Sequence, residues 1–205
     1  MSAAHRTVVP DSPRYPGGGG SNRDARVHQA VLDAATALFE ELGYDGVTMQ
    51  AIATRADVGK PTLYRWWKNK AALAHEVMLG TAGSFQYVET GDLPDDLRSF
   101  VDQTIRFFEV PFVQAAWPGA IADLRSDPEG WQLAFDTLTR PAIEHLQGVL
   151  DRAAQRGDCR AGLDALTVFD AITGSCMSRL FTPGKHPSRK RRTDAMVDLF
   201  LHGIM

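Results

Sequence analysis

The sequence predicts an all-α protein of one or two domains. Apolar residues recur at steps of three and four residues in several segments from Arg23 onward, which is the period of one helix face. No convincing run of alternating apolar and polar residues indicates a strand. The 205 residues are 44% hydrophobic, so the chain can bury a sizeable core.

Residues 1–22 differ from the rest in composition, with three prolines and the glycine run Gly17–Gly20. Such a segment buries too little apolar surface to offset the entropy lost on ordering, so we expect a disordered tail that ends in a glycine linker. The glycines are not expected to bind phosphate, because no strand precedes them and no Gly-Lys-Ser/Thr follows. The tail also lacks the apolar core of a signal peptide.

Two helices are predicted after the tail. One apolar face runs through the first of them and consists of Val27, Val31, Ala34, Leu38 and Leu42. Gly43 ends this helix, since glycine readily adopts the left-handed backbone that closes many helices. Thr48 can cap the second helix with its hydroxyl, and Ile52 and Ala53 supply its buried side.

The remaining helices follow from the same period. One face of residues 92–110 carries Leu97, Val101, Ile105 and Phe108. A later helix carries Leu138, Ala142, Leu146 and Val149. Pro141 must start or kink that helix, because proline lacks the N–H that a helix interior uses. Residues 163–180 and 194–204 are two more apolar helices, separated by the segment 182–192.

The second and third helices form a predicted helix-turn-helix, over residues 49–56 and about 60–67. Asp57 lies in the turn, where a short polar side chain tolerates left-handed dihedrals. Gly59 is an acceptable N-cap, and Pro61 falls in the first turn of the following helix, where its missing N–H costs least. The second helix of such a motif can enter the major groove of DNA.

The helix over about 60–67 is expected to bury one face and expose the others. Leu63 and Trp67 are four residues apart, so they are expected to face the core together. The other faces carry Lys60, Thr62, Arg65 and Trp66, with Tyr64 toward one edge. Lysine, threonine and arginine at its N-terminal end can reach base edges and phosphates. The alternative is a helix that is basic and merely solvated.

Positive charge is concentrated around this helix. Residues 58–75 hold four basic residues and no acid, whereas residues 21–57 hold three basic and six acidic residues. The whole chain has a formal net charge of −3, so its overall charge does not favour nucleic acid. The basic footprint is therefore local.

The stretch from Leu38 to Met78 resembles the N-terminal DNA-binding domain of the TetR family of transcriptional repressors. The matching features are Gly-Tyr-x-Gly-x-Thr at 43–48, Ile-Ala at 52–53, Thr-Leu-Tyr-x-x-Trp at 62–67 and Lys-x-Lys-x-x-Leu at 68–73. The resemblance covers roughly residues 25–78. It implies a three-helix helix-turn-helix DNA-binding domain over residues 23–78, followed by a helical ligand-binding and dimerisation domain over residues 79–205.

By that resemblance, Thr48 would bind a phosphate at the start of the second helix. Lys60, Pro61 and Thr62 would meet bases, Tyr64, Trp66 and Lys70 would hold the DNA backbone, and Arg65 could reach either. Many members have glycine at the place of Asp57 and serine at the place of Gly59, so the cap is weaker here. Trp66 stands where histidine is frequent, and an indole offers one donor and no pH response.

The resemblance also implies a small-molecule pocket in the C-terminal domain and pairing with a second copy through the last two helices. The candidate pocket residues are the aromatics Phe107, Phe108, Trp117, Trp131 and Phe135. The candidate dimer-interface residues, in an intermolecular four-helix bundle, are Leu166, Phe169, Thr173, Met177, Met196, Leu199 and Phe200. Small residues at Gly174, Ser175 and Ser178 would let the paired helices approach closely.

The sequence thus predicts a homodimeric transcriptional repressor that binds a near-palindromic double-stranded DNA operator and is released by a small-molecule effector. The bacterial cytosol, at the nucleoid, is the expected location. An activator and a ligand-blind regulator remain open as alternatives. So does a helical small-molecule carrier or enzyme that retained a DNA-binding-like module.

No catalytic site, cofactor or metal site is predicted. The histidines are scattered, and neither zinc-ligand spacing nor a Gly-x-Ser-x-Gly motif occurs. Cys159 and Cys176 are too few for a disulfide framework, and Cys176 is expected to be a small buried residue rather than a redox sensor.

No apolar run approaches the roughly 20 residues of a membrane span. The basic run Ser188–Arg192 is expected to be a solvated loop, with an auxiliary nucleic-acid contact as the alternative.

Overall fold

The computed structural model describes residues 6–7, 22–83, 87–182 and 184–204. The helices are α1 (Asn22–Gly46), α2 (Met49–Arg55), α3 (Lys60–Trp66), α4 (Lys70–Gly83), α5 (Leu93–Glu109), α6 (Pro111–Leu124), α7 (Pro128–Ala134), α8 (Arg140–Arg156), α9 (Ala165–Phe181) and α10 (Arg189–Ile204). A π-helical turn, Phe135–Thr139, joins α7 to α8. The all-α prediction is confirmed. Among these helices, none is long and apolar enough to cross a membrane.

The helices divide into two compact units. The N-terminal unit contains α1 to α4 together with α6 and α7, and the C-terminal unit contains α5, α8, α9 and α10. Helices α6 and α7 thus pack with the N-terminal helices, although the sequence division assigns residues 79–205 to one C-terminal domain. The boundary between residues 78 and 79 stays a prediction.

The structure describes two residues of the tail that the sequence predicts to be disordered. Arg6–Thr7 forms a short strand, β1, which pairs antiparallel with β2, Tyr87–Val88. At these two residues the structure differs from the prediction, because backbone pairing with a distant segment leaves no trace in composition. Residues 1–5 and 8–21, with the glycine run, lie outside the described residues.

Helix α1 supplies the core of the N-terminal unit. Val31, Ala35 and Phe39 are fully buried at steps of four residues. Leu42, predicted on the buried face, is instead 53% exposed, because the packed neighbours leave the last turn before the helix break uncovered. Gly43 ends the helical backbone as predicted, with φ 69° and ψ 171°.

Helix α6 packs along α1. The Phe39 ring meets Phe112 of α6 edge to face, with 5.6 Å between centroids. Tyr44 stacks on Phe39, and its hydroxyl donates to Oδ2 of Asp123 at 2.7 Å. The pKa of Tyr44 is raised mainly by burial and further by the Asp123 carboxylate, so the phenol remains a neutral donor. Gly119 allows this approach, since a Cβ there would lie 2.2 Å from the Tyr44 ring.

Helix α5 is the central element of the C-terminal unit and packs against α8, α9 and α10. Its predicted face is buried, with Leu97, Val101, Ile105 and Phe108. In α8, Leu146 and Val149 are buried as predicted, whereas Ala142 in the first turn is half-buried. Leu138, also half-buried, belongs to the π-helical turn before α8. Pro141 lies in the first turn of α8, as predicted.

Helix α10 begins earlier than predicted. The expected solvated loop is wrong for Arg189–Arg192, which form its first turn. Arg189 reaches Asp102 and Glu109, each at 3.2 Å, and Arg192 reaches Glu109 at 3.0 Å. These α5 carboxylates offset positive charge at a helix N-terminus, where the dipole disfavours it. Glu109 lies at least 80 residues away in sequence, so local pattern could not reveal the pairing.

Candidate nucleic-acid interface

Helices α2 and α3 are joined by a tight turn, as the sequence predicts. Asp57 has φ 53°, the left-handed conformation expected for a short polar side chain in this position. The N–H of Asp57 donates to the Thr54 carbonyl at 3.2 Å, and the N–H of Val58 donates to the Ala53 carbonyl at 3.0 Å. These bonds close the end of α2 and set the direction in which α3 begins.

The predicted caps of both helices are present. Thr48 is the N-cap of α2, and its Oγ1 accepts from the N–H of Ala51 at 3.1 Å. Gly59 is the N-cap of α3 with an extended backbone and no side chain to accept a bond. Pro61 occupies the first turn, where it needs no backbone partner. The start of α3 therefore has no side-chain cap of its own.

Helix α3 presents a polar face to solvent. Its inner side buries Leu63 completely. Lys60, Pro61, Tyr64 and Arg65 are exposed, with Tyr64 at 50%, and Thr62 is half-buried. Two cations, a phenol and a hydroxyl are thus available on one short helix, which is chemistry suited to phosphates and base edges.

Trp66 does not lie where the sequence places it. Its side chain is only 8% exposed, and that of Trp67 is fully buried. Trp67 has an extended backbone, with φ −128° and ψ 117°, so the helical spacing from Leu63 to Trp67 does not hold. Leu63 and Trp66, three apart, share the inner face instead, and Trp67 is buried by the change in chain direction. A phosphate contact from Trp66 does not fit this burial.

The two remaining basic residues of the footprint already have contacts within the N-terminal unit. Lys70, the first residue of α4, donates from Nζ to the backbone carbonyl of Tyr44 at 2.8 Å. The same Nζ lies 4.0 Å from the centre of the Tyr44 ring. Lys68 Nζ lies 2.6 Å from Oδ2 of Asp127. That contact, followed by the N–H of Gly130, lowers the pKa of Asp127. An ammonium has three donors, so Lys70 retains capacity for a phosphate.

Two residues near α3 carry no signal in the sequence. Glu76 of α4 and His28 of α1 both contact Trp67 and lie 2.9 Å from each other. The sequence has His75-Glu76 without the second histidine of a His-Glu-x-x-His zinc motif, so no site is predicted there. The separation of His28 from Glu76 along the chain exceeds any helical period, so only the tertiary structure brings these two residues together.

The five candidate pocket aromatics do not share one compact unit. Phe107 and Phe108 are buried on α5 in the C-terminal unit, with their rings edge to face at 5.3 Å. Trp117 and Phe135 are half-buried in the N-terminal unit, where Trp131 on α7 is 43% exposed. The expectation of a shared pocket stays a prediction.

The C-terminal unit has an open cleft of about 640 Å³ along α10. Its lining is largely charged and includes Arg98, Lys190, Arg191, Asp194 and Asp198. None of the predicted pocket aromatics lines it. Within the residues that the structure describes, no three His, Cys, Asp or Glu side chains are grouped to hold a metal ion.

The candidate dimer residues all lie on α9 and α10. Leu166 is 45% exposed and Leu199 is 69% exposed. The other five are half-buried: Phe169, Thr173, Met177, Met196 and Phe200. Gly174, Ser175 and Ser178 are exposed beside them, and open space surrounds the position of a Cβ at Gly174. The two helices thus keep apolar side chains on an accessible face.

Comparison with known proteins assigns both parts of the chain to one family. Residues 31–77 match the family described as bacterial regulatory proteins, tetR family. Residues 88–200 match the description tetracyclin repressor-like, C-terminal domain. The first match contains all of α2, the turn and α3.

Relatives extend this likeness over most of the chain. The uncharacterized HTH-type transcriptional regulator YdeS of Bacillus subtilis is 31% identical over 187 residues, 88% of this chain and 91% of YdeS. The DNA-binding transcriptional repressor TetR of Mycobacteroides abscessus is 28% identical over 76% of this chain and 82% of its own length.

A solved structure shares the fold. It is the transcriptional regulator FadR of Bacillus subtilis in complex with stearoyl-CoA, with a TM-score of 0.66 at 19% identity. The likeness covers 87% of this chain and 100% of FadR. Sequence, fold and the local geometry of the turn thus agree, and the chain belongs to the TetR family of helix-turn-helix transcriptional regulators.

Proposed function

We propose that this chain is a homodimeric transcriptional repressor that binds a near-palindromic operator through α3 and leaves it when a small molecule binds. The observation that carries the proposal is the division of α3 into two faces. Leu63 and Trp66 anchor the helix, while Lys60, Tyr64 and Arg65 extend into solvent from the side that a major groove would receive.

The proposed contacts follow from residue chemistry. Lys60, Pro61 and Thr62 meet base edges at the N-terminal end of α3, and Tyr64 holds a phosphate. Arg65 reaches a base or a phosphate.

Thr48, at the N-terminus of α2, and Lys70, at the N-terminus of α4, bind the flanking DNA backbone, where helix dipoles favour a negative charge. Trp66 is left out of this set, because it is buried.

Dimerisation is supported by the apolar side chains that α9 and α10 keep exposed. Burying Leu166 and Leu199 against the same residues of a second copy would remove apolar surface from water in a symmetric, self-complementary interface. The α3 helices of the two copies, the recognition helices, then meet two operator half-sites, whose centres lie about 34–36 Å apart on B-DNA. This requirement makes the operator near-palindromic.

Release by an effector requires a difference in affinity between two conformations. A small molecule that binds better when the recognition helices are misplaced shifts the population away from DNA, by no more than that difference. The repressor of Mycobacteroides abscessus supports the repressor assignment. FadR, which was solved with stearoyl-CoA, supports a small-molecule effector. The proposed activity takes place at the nucleoid in the bacterial cytosol and needs no metal or cofactor.

Fluorescence anisotropy tests the DNA-binding step. The protein is titrated onto its own upstream intergenic DNA and onto shuffled DNA of equal length, at two salt concentrations. We expect tight, salt-sensitive binding to the native fragment, since phosphate contacts release counterions. A genome-wide selection for bound fragments covers an operator located elsewhere, and failure to select any fragment would refute the proposal.

Substitutions on α3 test the interface itself. Thr62→Ala with Tyr64→Phe is expected to lower operator affinity sharply, because one base contact and one phosphate contact are removed. Arg65→Gln is expected to reduce the salt slope by about one if Arg65 contacts a phosphate. Arg125→Gln, an exposed cation at the end of α6, is the control and should change neither quantity. Unchanged operator affinity in the α3 variants would contradict the recognition-helix assignment.

The regulatory step is tested on the DNA complex. Candidate small molecules, starting with long-chain acyl-CoA thioesters, are added to labelled operator bound by the protein. A repressor of the proposed kind loses anisotropy signal as the compound saturates. A transcription assay on the same promoter distinguishes repression from activation, and increased transcription on adding the protein would overturn the repressor assignment.

A further inference from the structure

A buried carboxylate lies behind the recognition helix. Glu76 of α4 is only 5% exposed, and both of its oxygens have a partner. Oε2 accepts from the indole N–H of Trp67 at 2.5 Å, and Nε2 of His28 lies 2.9 Å from Oε1. One side chain thus ties α1, the residue that follows α3, and α4 together. Carboxylates are seldom buried to this degree without such partners.

Both partners of this carboxylate belong to an aromatic cluster that consists of His28, Trp66 and Trp67. His28 stacks on Trp67, with 4.9 Å between ring centroids and planes 30° apart. The Trp66 ring is T-shaped to both, with centroids 5.4 Å from that of His28 and 5.4 Å from that of Trp67. Fixing the orientations of His28 and Trp67 therefore also fixes the orientation of Trp66.

The cluster reaches the solvent face of α3 through Arg65. The guanidinium carbon of Arg65 lies 5.2 Å from the centre of the Trp66 ring, within the range of a cation–π contact. The path runs from the Glu76 carboxylate through His28 and Trp67 to Trp66 and then to the cation. Each step is a direct contact.

Helix α3 depends on such support. It has seven residues and an N-cap without a side-chain acceptor. A helix this short is not stable by itself in water, because nucleation costs more than a few hydrogen bonds return. Tertiary contacts at its inner face and at its C-terminal end must hold it, and Trp66 and Trp67 are the residues at that end.

We propose that Glu76 is a positioning residue for DNA recognition, acting through Trp67, His28 and Trp66 to fix α3 and the placement of Arg65. The inference rests on the proposed function, since it assigns a role within DNA binding by α3. Glu76 itself is buried, and no direct contact with DNA is proposed for it. The effect on DNA is transmitted entirely by packing and by the two polar contacts of the carboxylate.

Two substitutions at Glu76 separate its polar role from its volume. Glu76→Met keeps much of the volume but leaves the indole N–H of Trp67 buried without an acceptor. Glu76→Gln can keep both contacts, since its carbonyl accepts from Trp67 and its amide donates to an unprotonated Nε2 of His28. We expect Glu76→Met to weaken operator binding about tenfold or more. Glu76→Gln is expected to keep most of the native affinity.

A double-mutant cycle with Arg65→Gln tests the path. If Glu76 acts through the placement of Arg65, the loss of operator affinity caused by Arg65→Gln will be clearly smaller in the Glu76→Met background than in the native chain. Additive losses would overturn the proposed path. The cycle is measured by anisotropy on the fragment selected for the native protein, so a native chain that selects no fragment refutes the proposed function and this inference with it.

A matched control excludes general destabilisation. Val113→Ala removes fully buried volume from α6, a helix of the same unit that carries none of the cluster residues. Operator affinity and stability in urea are measured for both variants. If Glu76→Met loses no more affinity than Val113→Ala for the same loss of stability, the positioning role is wrong. If Glu76→Met does not fold, Trp67→Phe takes its place in the cycle, because it removes the indole donor and retains an aromatic ring.

Discussion

Gly119 of α6 is the residue that allows Tyr44 to approach the helix backbone. A Cβ at this position would lie 2.2 Å from Cδ1 and 2.6 Å from Cγ of Tyr44. We expect Gly119→Ala to lower the free energy of unfolding by about 1–3 kcal/mol, as overpacking of a filled site does. Urea unfolding followed by circular dichroism measures this change.

Gly80 supplies the matched control, since it is also a helical glycine but has no atom within 4 Å of the position of a Cβ. Gly80→Ala is expected to raise the free energy of unfolding by roughly 0.5–1 kcal/mol, because alanine favours the helix. Equal effects of the two substitutions would mean that Tyr44 does not occupy the space beside Gly119.

His75 makes folding sensitive to acid. Burial lowers its pKa from 6.5 to about 4, although the nearby Glu76 opposes the shift. Below pH 6.5 the unfolded chain binds a proton that the folded chain takes up only near pH 4, so this group reduces stability as the pH falls across that window. The full effect is about 3 kcal/mol, at 1.36 kcal/mol per pKa unit.

His75→Gln tests this expectation, because glutamine can still bond Thr137, whose Oγ1 lies 3.0 Å from Nε2 of His75. The free energy of unfolding is measured in urea at pH 7 and at pH 4.5 for both chains. The variant should lose less stability between the two values than the native chain. An identical loss would show that His75 is protonated in the folded protein at the lower pH.

Helix α2 joins a structural requirement to a proposed DNA contact at one residue, Thr48. Its hydroxyl caps the helix by accepting from Ala51 N–H at 3.1 Å, and the same end of the helix is proposed to face a phosphate. Thr48→Asp retains a capping acceptor and adds a charge that the helix dipole favours. The charge would repel a phosphate.

We therefore expect Thr48→Asp to keep the thermal stability of the native chain while operator affinity falls about tenfold or more. Thr48→Ala should instead lose about 1 kcal/mol of stability, because the cap is removed. Differential scanning fluorimetry and anisotropy measure the two properties separately. Native operator affinity in Thr48→Asp would place the phosphate backbone away from this helix.

The assembly of the whole molecule depends on the accessible apolar face of α9 and α10. Leu166→Glu with Leu199→Glu places charges on side chains that are 45% and 69% exposed in the single chain, so neither should disturb its fold. In the proposed dimer they would be buried, and unpaired charges are strongly unfavourable there. We expect a monomer by analytical ultracentrifugation, with native helix content and greatly reduced operator affinity.

Leu42→Glu is the control for this change, since Leu42 is 53% exposed but lies on α1. It should leave both the sedimentation coefficient and the helix content unchanged. A double variant at Leu166 and Leu199 that still sediments as a dimer would show that the chain pairs through another surface.

The local features of this protein could be read from the sequence, because neighbouring residues decide them. The hydroxyl of Thr48, the left-handed Asp57, the N-cap at Gly59 and the break at Gly43 each follow from the chemistry of one residue and its near neighbours. The buried face of α5 follows from helical period alone. The same local motifs identify the helix-turn-helix and, with it, the family.

Contacts between distant residues were decided only by the tertiary structure. Trp66 is buried and Leu42 exposed because packed neighbours, and not helical period, determine which faces are covered. The first turn of α10 forms where a loop was predicted, with Glu109 of α5 pairing its arginines. Glu76 becomes a candidate for positioning α3 only when His28 and Trp67 are brought to its carboxylate. Sequence pattern predicts structure that depends on interactions between near neighbours along the chain. Long-range packing and charge pairing depend on which elements meet in the fold.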